Sequence, residues 1–358
     1  MGPGLLRLLL AMLVIAHHST PLRLGAFAVY VFFILSGYWI AVMWDSKYSR
    51  TECAYWTFMV SRYWRLIPIF LCCMLLGVIS ALILGNIVPN PSASLEWWIR
   101  QLPIMGSSSA GVILAPSWSI DVEMQFYMVA PMLVLVSNRW NAVGCWLLFA
   151  GSTVWFIVPR LSGDFENLPY GWLYLAFFSM GVLLHRTGWR AGQKLAWGVF
   201  LSACIIIIAV ITYPQTRSLF WIIGSAVRNE TLPQSIQIGR WFSNLAGAFL
   251  MVPFLSWNVR QKSDGFDREV GNLSYPLYLF HWIPREWYYH YVNWTLPAWK
   301  NAILLFGNFV VTFVGAWLIL RWIDRPLEIM RKQWVSARLK KSVPAQRILA
   351  GADGTSKN

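Results

Sequence analysis

The sequence predicts an all-α polytopic integral membrane protein with about ten transmembrane helices. Three observations predict it. Hydrophobic residues make up 57% of the 358 residues and charged residues only 12%, roughly half the ~25% charged share of a soluble domain. The apolar residues come in runs close to the ~20 residues that cross a hydrocarbon core ~30 Å thick. The net charge of +14 sits in short loops and a tail beside those runs, as it does in the cytoplasmic loops of membrane proteins. That placement argues against nucleic acid as a partner and for membrane lipids. The five cysteines have no metal-ligand spacing, so no metal is expected.

The expected spans are residues 5–20, 25–44, 66–86, 118–137, 142–159, 170–186, 195–213, 238–257, 272–293 and 299–322. The first ends in His17-His18-Ser19-Thr20-Pro21, which lacks a small-x-small cleavage pattern, so it reads as a retained helix and not a signal peptide. The second opens at Gly25. The third follows the basic segment around Arg62 and Arg65, and the fourth follows Pro116-Ser117. The fifth and seventh are almost wholly apolar. The ninth carries His281, and the tenth leads into a basic tail. With the N-terminus inside, the inner segments hold Lys47, Arg50, Arg62, Arg65, Arg139, Arg186, Arg190, Lys194, Arg260, Lys262, Arg268 and the tail, against Arg23, Arg100, Arg160, Arg217, Arg228 and Lys300 outside. The positive-inside rule then puts both termini in the cytoplasm, and an even number of spans agrees. Two outer loops, 87–117 and 214–237, are rich in Pro, Ser, Gly and aromatics. Leu95-Glu96-Trp97-Trp98-Ile99-Arg100 reads as an interfacial segment. Residues 1–326 are expected to form one transmembrane domain and 327–358 a basic cytoplasmic tail, with no separate soluble domain.

Ionisable groups inside a span are costly and mark function by default. Arg7 and His18 are eleven residues apart, three helical turns plus ~20°, so they share a face ~16 Å apart along the axis. His17 points ~80° away. Snorkelling to the two interfaces is the plainer reading of the same pair. Arg62 and Arg65 share a helix face at i and i+3. There they either anchor the inner interface or form a fork for phosphate oxygens. Glu123, close to Asp121, is expected about one turn below the outer surface, at the depth of His18, where a carboxylate orients an imidazole. His281 is expected near mid-membrane, either as a hydrogen-bonder between helices or as part of a site.

Five segments, in order, carry a resemblance. Leu6-Arg7, ten residues, then His18 is similar to an Arg-x10-His motif. Phe32-Phe33-Ile34-Leu35-Ser36-Gly37-Tyr38 is similar to Phe-Phe-x-Leu-Ser-Gly. Arg62-Tyr63-Trp64-Arg65-Leu66-Ile67-Pro68 fits Arg-x-x-Arg-Ile/Leu-x-Pro. Trp118-Ser119-Ile120-Asp121-Val122-Glu123-Met124-Gln125-Phe126-Tyr127 fits Trp-Ser-Leu-x-x-Glu-x-x-Phe-Tyr. Ser274-Tyr275-Pro276-Leu277-Tyr278-Leu279-Phe280-His281 resembles Ser-Tyr-x-x-Tyr-Leu-x-His. Together, from residue 4 to about 326, they resemble the acyltransferase-3 family of bacterial membrane O-acyltransferases. The start, Met1-Gly2-Pro3-Gly4, departs from the acidic or polar residue that usually precedes Leu-Arg.

The resemblance implies acyl transfer in the bacterial inner membrane, from cytoplasmic acyl-CoA, with acetyl-CoA the default, to a hydroxyl of a glycan or lipid-linked sugar. It implies His18 and Glu123 as catalytic residues and Arg62, Arg65 and Arg7 on the donor side. Ser36, Trp118, Tyr127, Tyr278 and His281 are further site candidates. A glycan exporter or flippase without chemistry is the alternative. The apolar fifth and seventh spans favour a compact site over a conduit.

Overall fold

The computed structural model describes residues 1–85, 95–106, 113–139, 142–161, 170–222, 233–292 and 297–339. They form fourteen α-helices in chain order: α1 Pro3–Ser19, α2 Gly25–Ser46, α3 Ala54–Ile83, α4 Leu95–Gln101, α5 Trp118–Arg139, α6 Ala142–Leu161, α7 Leu175–Thr187, α8 Gln193–Thr212, α9 Gln234–Leu250, α10 Val252–Asn258, α11 Gly265–Phe280, α12 Trp282–Tyr291, α13 Ala298–Ile319 and α14 Arg325–Ala337. Among the described residues β structure is limited to two isolated bridges, Leu22 with Trp221 and Thr51 with Leu339. The chain is an all-α membrane protein.

Each expected span is occupied by helix, but not all are full crossings. Among the described residues six helices are long and apolar enough to cross a membrane, and two shorter apolar ones, Pro3–Ser19 and Val143–Val158, accompany them. The eighth and ninth expected spans are broken. Pro253 and Pro284 stand at the second and third positions of α10 and α12. A proline ring clashes with the carbonyl four residues back and offers no N–H to it. The third span begins early: α3 starts at Ala54, so Arg62 and Arg65 lie two to three turns inside a helix and not at its mouth. Of the outer loops, 86–94, 107–112 and 223–232 lie outside the described residues. In the interfacial segment Leu95 is exposed and Trp97 buried. Of the expected tail, residues up to 337 continue α14, which follows a π-helical turn at Leu320–Asp324.

The core is built around α2. Its Gly37 crosses Gly181 of α7 so closely that a Cβ on Gly37 would lie 2.1 Å from the Phe178 carbonyl oxygen. One on Gly181 would lie 2.1 Å from that of Ile34. Small residues let helix backbones approach in lipid, where dispersion replaces the hydrophobic drive. Aromatic rings flank the crossing: Tyr30 stacks on Phe177 at 4.4 Å, and Phe178 on Phe126 at 3.9 Å. Gly37→Leu should therefore remove most folded, inserted protein on detergent gel filtration. Overpacking costs about 1–3 kcal/mol even where side chains can yield, and here the obstacle is backbone. Gly198→Leu on α8, with nothing within 4 Å of its Cβ position, should leave the yield unchanged.

The N-terminus of α1 docks on α11 by a similar close approach. Gly271 packs on the Cα of Gly4, and the Asp267 carboxylate accepts from the N–H groups of Gly4 at 3.0 Å and Leu5 at 2.9 Å. Those are amides that a helix start leaves unpaired; Pro3, at the first position, has no N–H to satisfy. Met1 lies at the same end, its carbonyl accepting from Asn258, as do the C-terminus of α2 and the start of α3. This is called the basic end below.

Candidate active site

Helices α1, α2, α3, α5 and α11 enclose a slot of about 220 Å³. Along α2 its lining runs from Val29 to Met43, fourteen residues or ~21 Å of helix. Phe32, Phe33, Ile40, Leu66 and Ile120 supply apolar wall. The polar lining is Arg7 from α1, Ser36 from α2, Arg62 and Arg65 from α3, Ser119, Glu123 and Tyr127 from α5, and Ser274, Tyr275 and Tyr278 from α11.

Toward the basic end, Arg62 is only 2% exposed. Its guanidinium lies 5.4–5.9 Å from the centroids of Tyr48, Phe58 and Tyr127, a cage whose ring faces favour a cation. Nη2 donates to the Tyr48 hydroxyl at 2.8 Å and to Met43 Sδ at 3.5 Å. Nε is buried without a partner. Among the described residues no carboxylate pairs with Arg62 in a salt bridge. A buried cation with a spare donor is an anion site in waiting. Midway, Arg7 lies 5.7 Å over the Trp39 ring. Glu123 Oε1 accepts from the Ser36 hydroxyl at 2.6 Å and from the Tyr127 hydroxyl. Both bonds fall on one oxygen, so Oε2 is left to the slot.

Beyond the slot's far end stands a histidine pair. Ser119 and Tyr278 share a hydrogen bond of 2.6 Å, and Tyr278 also donates to the Pro116 carbonyl at 3.0 Å. One turn on, His281 is 1% exposed. Its Nδ1 lies 2.7 Å from the Tyr278 carbonyl, and its Nε2 is buried without a partner. His18 stacks on His281 at 5.4 Å and meets Trp282 edge-on at 5.2 Å. Arg285 covers Trp282 at 4.0 Å and donates from Nε to the His18 carbonyl at 3.1 Å, closing the C-terminus of α1.

Several expectations need correction. Glu123 does not share the depth of His18. Glu123 bonds Ser36, whereas His17 packs on Gly25, and those positions are eleven residues or ~16 Å apart on α2. Glu123 is level with Arg7. The cause is the chain before α5: the turn Ala115–Ser117 is itself buried, so α5 begins inside the bundle. Among the described residues no hydrogen bond joins His18 to Glu123. Arg62 is buried inside the protein and is not at an open mouth, while Arg65 is half-buried. His281 lies at the level of His18, not apart from it near mid-membrane. Trp118 does not line the slot; it packs on Tyr174 and Phe33. Sequence reasoning passed over Arg285, although it lies in the ninth expected span and the rule that singled out Arg7 applied to it equally.

The arrangement offers cations near one end of an apolar-walled slot, a carboxylate midway, and a pair of imidazoles packed beyond its other end. Among known proteins, the acyltransferase domain family matches residues 2–321. The chain is similar to peptidoglycan O-acetyltransferase OatA of Listeria monocytogenes, 26% identical over 361 aligned positions covering 90% of this chain and 54% of that protein. It is similar to the exopolysaccharide production protein ExoZ of Rhizobium meliloti, 28% identical over 200 positions covering 52% and 58% of the two chains. It is also similar to acyltransferase MdmB of Streptomyces mycarofaciens, 24% identical over 277 positions covering 65% and 68%. The chain spans little more than half the length of the first two. No solved structure matches it. Because the family match runs unbroken across every helix that lines the slot, the chain belongs to the acyltransferase-3 family.

Proposed function

We propose that the protein is a bacterial inner-membrane O-acyltransferase. It takes an acyl group, acetyl by default, from cytoplasmic acyl-CoA and passes it to a hydroxyl of a sugar or surface glycan. The observation that carries this reading is one slot lined by Arg7, Arg62, Arg65 and Glu123, with the His18–His281 pair stacked beyond its far end. The charge of the loops favours the cytoplasm for the basic end. The donor's phosphates meet Arg62 and Arg65 there. Its uncharged arm lies along the slot past Arg7 and Glu123, so no phosphate has to cross hydrocarbon. Glu123 Oε2 accepts an amide N–H of that arm and sets the thioester below the histidines.

At the far end, His18 takes the proton of the acceptor hydroxyl as its oxygen attacks the thioester carbonyl. The C–O bond forms, the C–S bond breaks, and the departing thiolate recovers the proton. His281 packs on the base and holds its ring. The relatives named for peptidoglycan O-acetyl transfer and exopolysaccharide production support a glycan acceptor.

The test is transfer in reconstituted vesicles from labelled acetyl-CoA supplied to one face. Label should reach the acceptor only when the donor is on the side of the basic end. The double variant Arg62→Lys/Arg65→Lys keeps the charge but loses bidentate phosphate geometry, so its donor KM should rise about tenfold, the effect of one weakened charge-assisted bond. Transfer only from donor on the opposite face would overturn the sidedness. An unchanged donor KM would reduce the pair to anchors.

A further inference from the structure

We propose that the C-terminal helix α14 positions Arg62 for the donor, through a relay running Glu328, Arg331, Tyr48, Arg62. The inference rests on reading Arg62 as a donor-phosphate ligand. The family match ends at residue 321, so α14 is added to the slot from outside the matched region.

The relay is continuous. Glu328 grips Arg331 with two parallel bonds, Nε to Oε2 at 2.8 Å and Nη2 to Oε1 at 2.7 Å, the fork geometry that fixes a guanidinium in its plane. Arg331 is itself buried, and its Nη1 donates to the Ser61 hydroxyl at 2.6 Å and to the Tyr48 hydroxyl at 3.3 Å. Tyr48 is 1% exposed and receives Arg62 Nη2 at 2.8 Å. A phenol oxygen accepts two bonds and a guanidinium only donates. With both arginines on that oxygen, the Tyr48 proton goes to Ser61, 2.7 Å away. Every group in the relay is therefore set by its neighbour, and the last of them holds Arg62, whose Nε remains free for an anion.

The helix that starts the relay is fastened at both ends. The π-turn at Leu320–Asp324 sets its direction as it leaves α13. Beyond α14, the N–H of Glu52 bonds the Arg338 carbonyl at 2.9 Å, beside the Thr51–Leu339 bridge. Arg331 and fully buried Val335 stand at i and i+4 on the inward face. A long side chain with an unfixed guanidinium would spend its binding energy on ordering itself; the relay orders it beforehand.

The experiment is a double-mutant cycle on purified full-length protein, reading donor KM, acceptor KM and kcat separately, with thermal unfolding as a check on folding. Tyr48→Phe keeps the ring and removes the hydroxyl. It should raise donor KM about tenfold, the worth of one hydrogen bond to a charged group, while kcat stays within about twofold and acceptor KM is unmoved. In the Arg62→Lys background the same change should add nothing, since positions acting through one group are not additive. If Tyr48→Phe does not accumulate, Arg331→Met carries the same test from the α14 side. Normal donor KM in Arg62→Lys would sink the donor-side reading itself. Weak donor binding in Arg62→Lys with normal binding in Tyr48→Phe, or losses that simply multiply, would overturn the relay alone.

Discussion

Replacing His18 with alanine should abolish acyl transfer while the protein inserts and accumulates normally. A base within hydrogen-bond reach contributes typically 10²–10⁴-fold, and the fall in kcat should lie in that range. The ring is half-buried, and its ring contacts are His281, Trp282 and, edge-on, His17. Arg285 bonds the His18 backbone carbonyl and not its side chain, so the α1 terminus stays closed without the imidazole. His17→Ala serves as the control. That ring packs on Gly25 of α2 and meets His18 only edge-on. Its loss should cost far less turnover. Measured transfer in the two variants settles the matter: an active His18→Ala with a dead His17→Ala would mean that the wrong face of α1 points at the acceptor.

Glu123→Gln should lower kcat about 10²-fold, the cost of a small misplacement of reacting atoms. Glutamine keeps an oxygen for Ser36 and Tyr127, so the local fold survives. What is lost is the negative charge on the slot-facing oxygen that holds the donor arm. The phosphate contacts at Arg62 and Arg65 are untouched, and removing a carboxylate among arginines does not weaken anion binding. Steady-state kinetics that returned a full-rate Glu123→Gln would show that hydrogen bonding alone suffices there. A raised donor KM with unchanged kcat would leave Glu123 to donor binding alone and take it out of the transition state.

The helices were legible where apolarity decides. The boundaries of α2, α8 and α13 fall within a few residues of the expected spans because no charged residue interrupts the interior of those runs. The start of α3 was not legible. Arg62 and Arg65 read as one helix face at the inner entrance to the third span, and the cage of Tyr48, Phe58 and Tyr127 together with the Tyr48 hydroxyl makes Arg62 tolerable inside the bundle. The motif residues Arg7, Ser36, Arg62, Arg65, Glu123, Tyr127 and Tyr278 do gather along one slot. Their order of depth was hidden, since it depends on bonds between segments far apart in sequence. Ser36 meets Glu123 across 87 residues and Ser119 meets Tyr278 across 159. A helical start sunk into the bundle before Trp118 is possible because Tyr278 satisfies the Pro116 carbonyl, and no local pattern announces that.

The docking of α1 has a consequence for biosynthesis. The start of α1 is secured by Asp267, a residue made 263 positions after Gly4. The turn before α5 likewise waits 162 positions for the hydroxyl that satisfies Pro116. At ~5–20 residues per second, both gaps last many seconds, during which α1, α2, α3 and α5 sit in the bilayer without the wall that α11 supplies. The slot that gathers the motif residues is therefore completed only once α11 has been made.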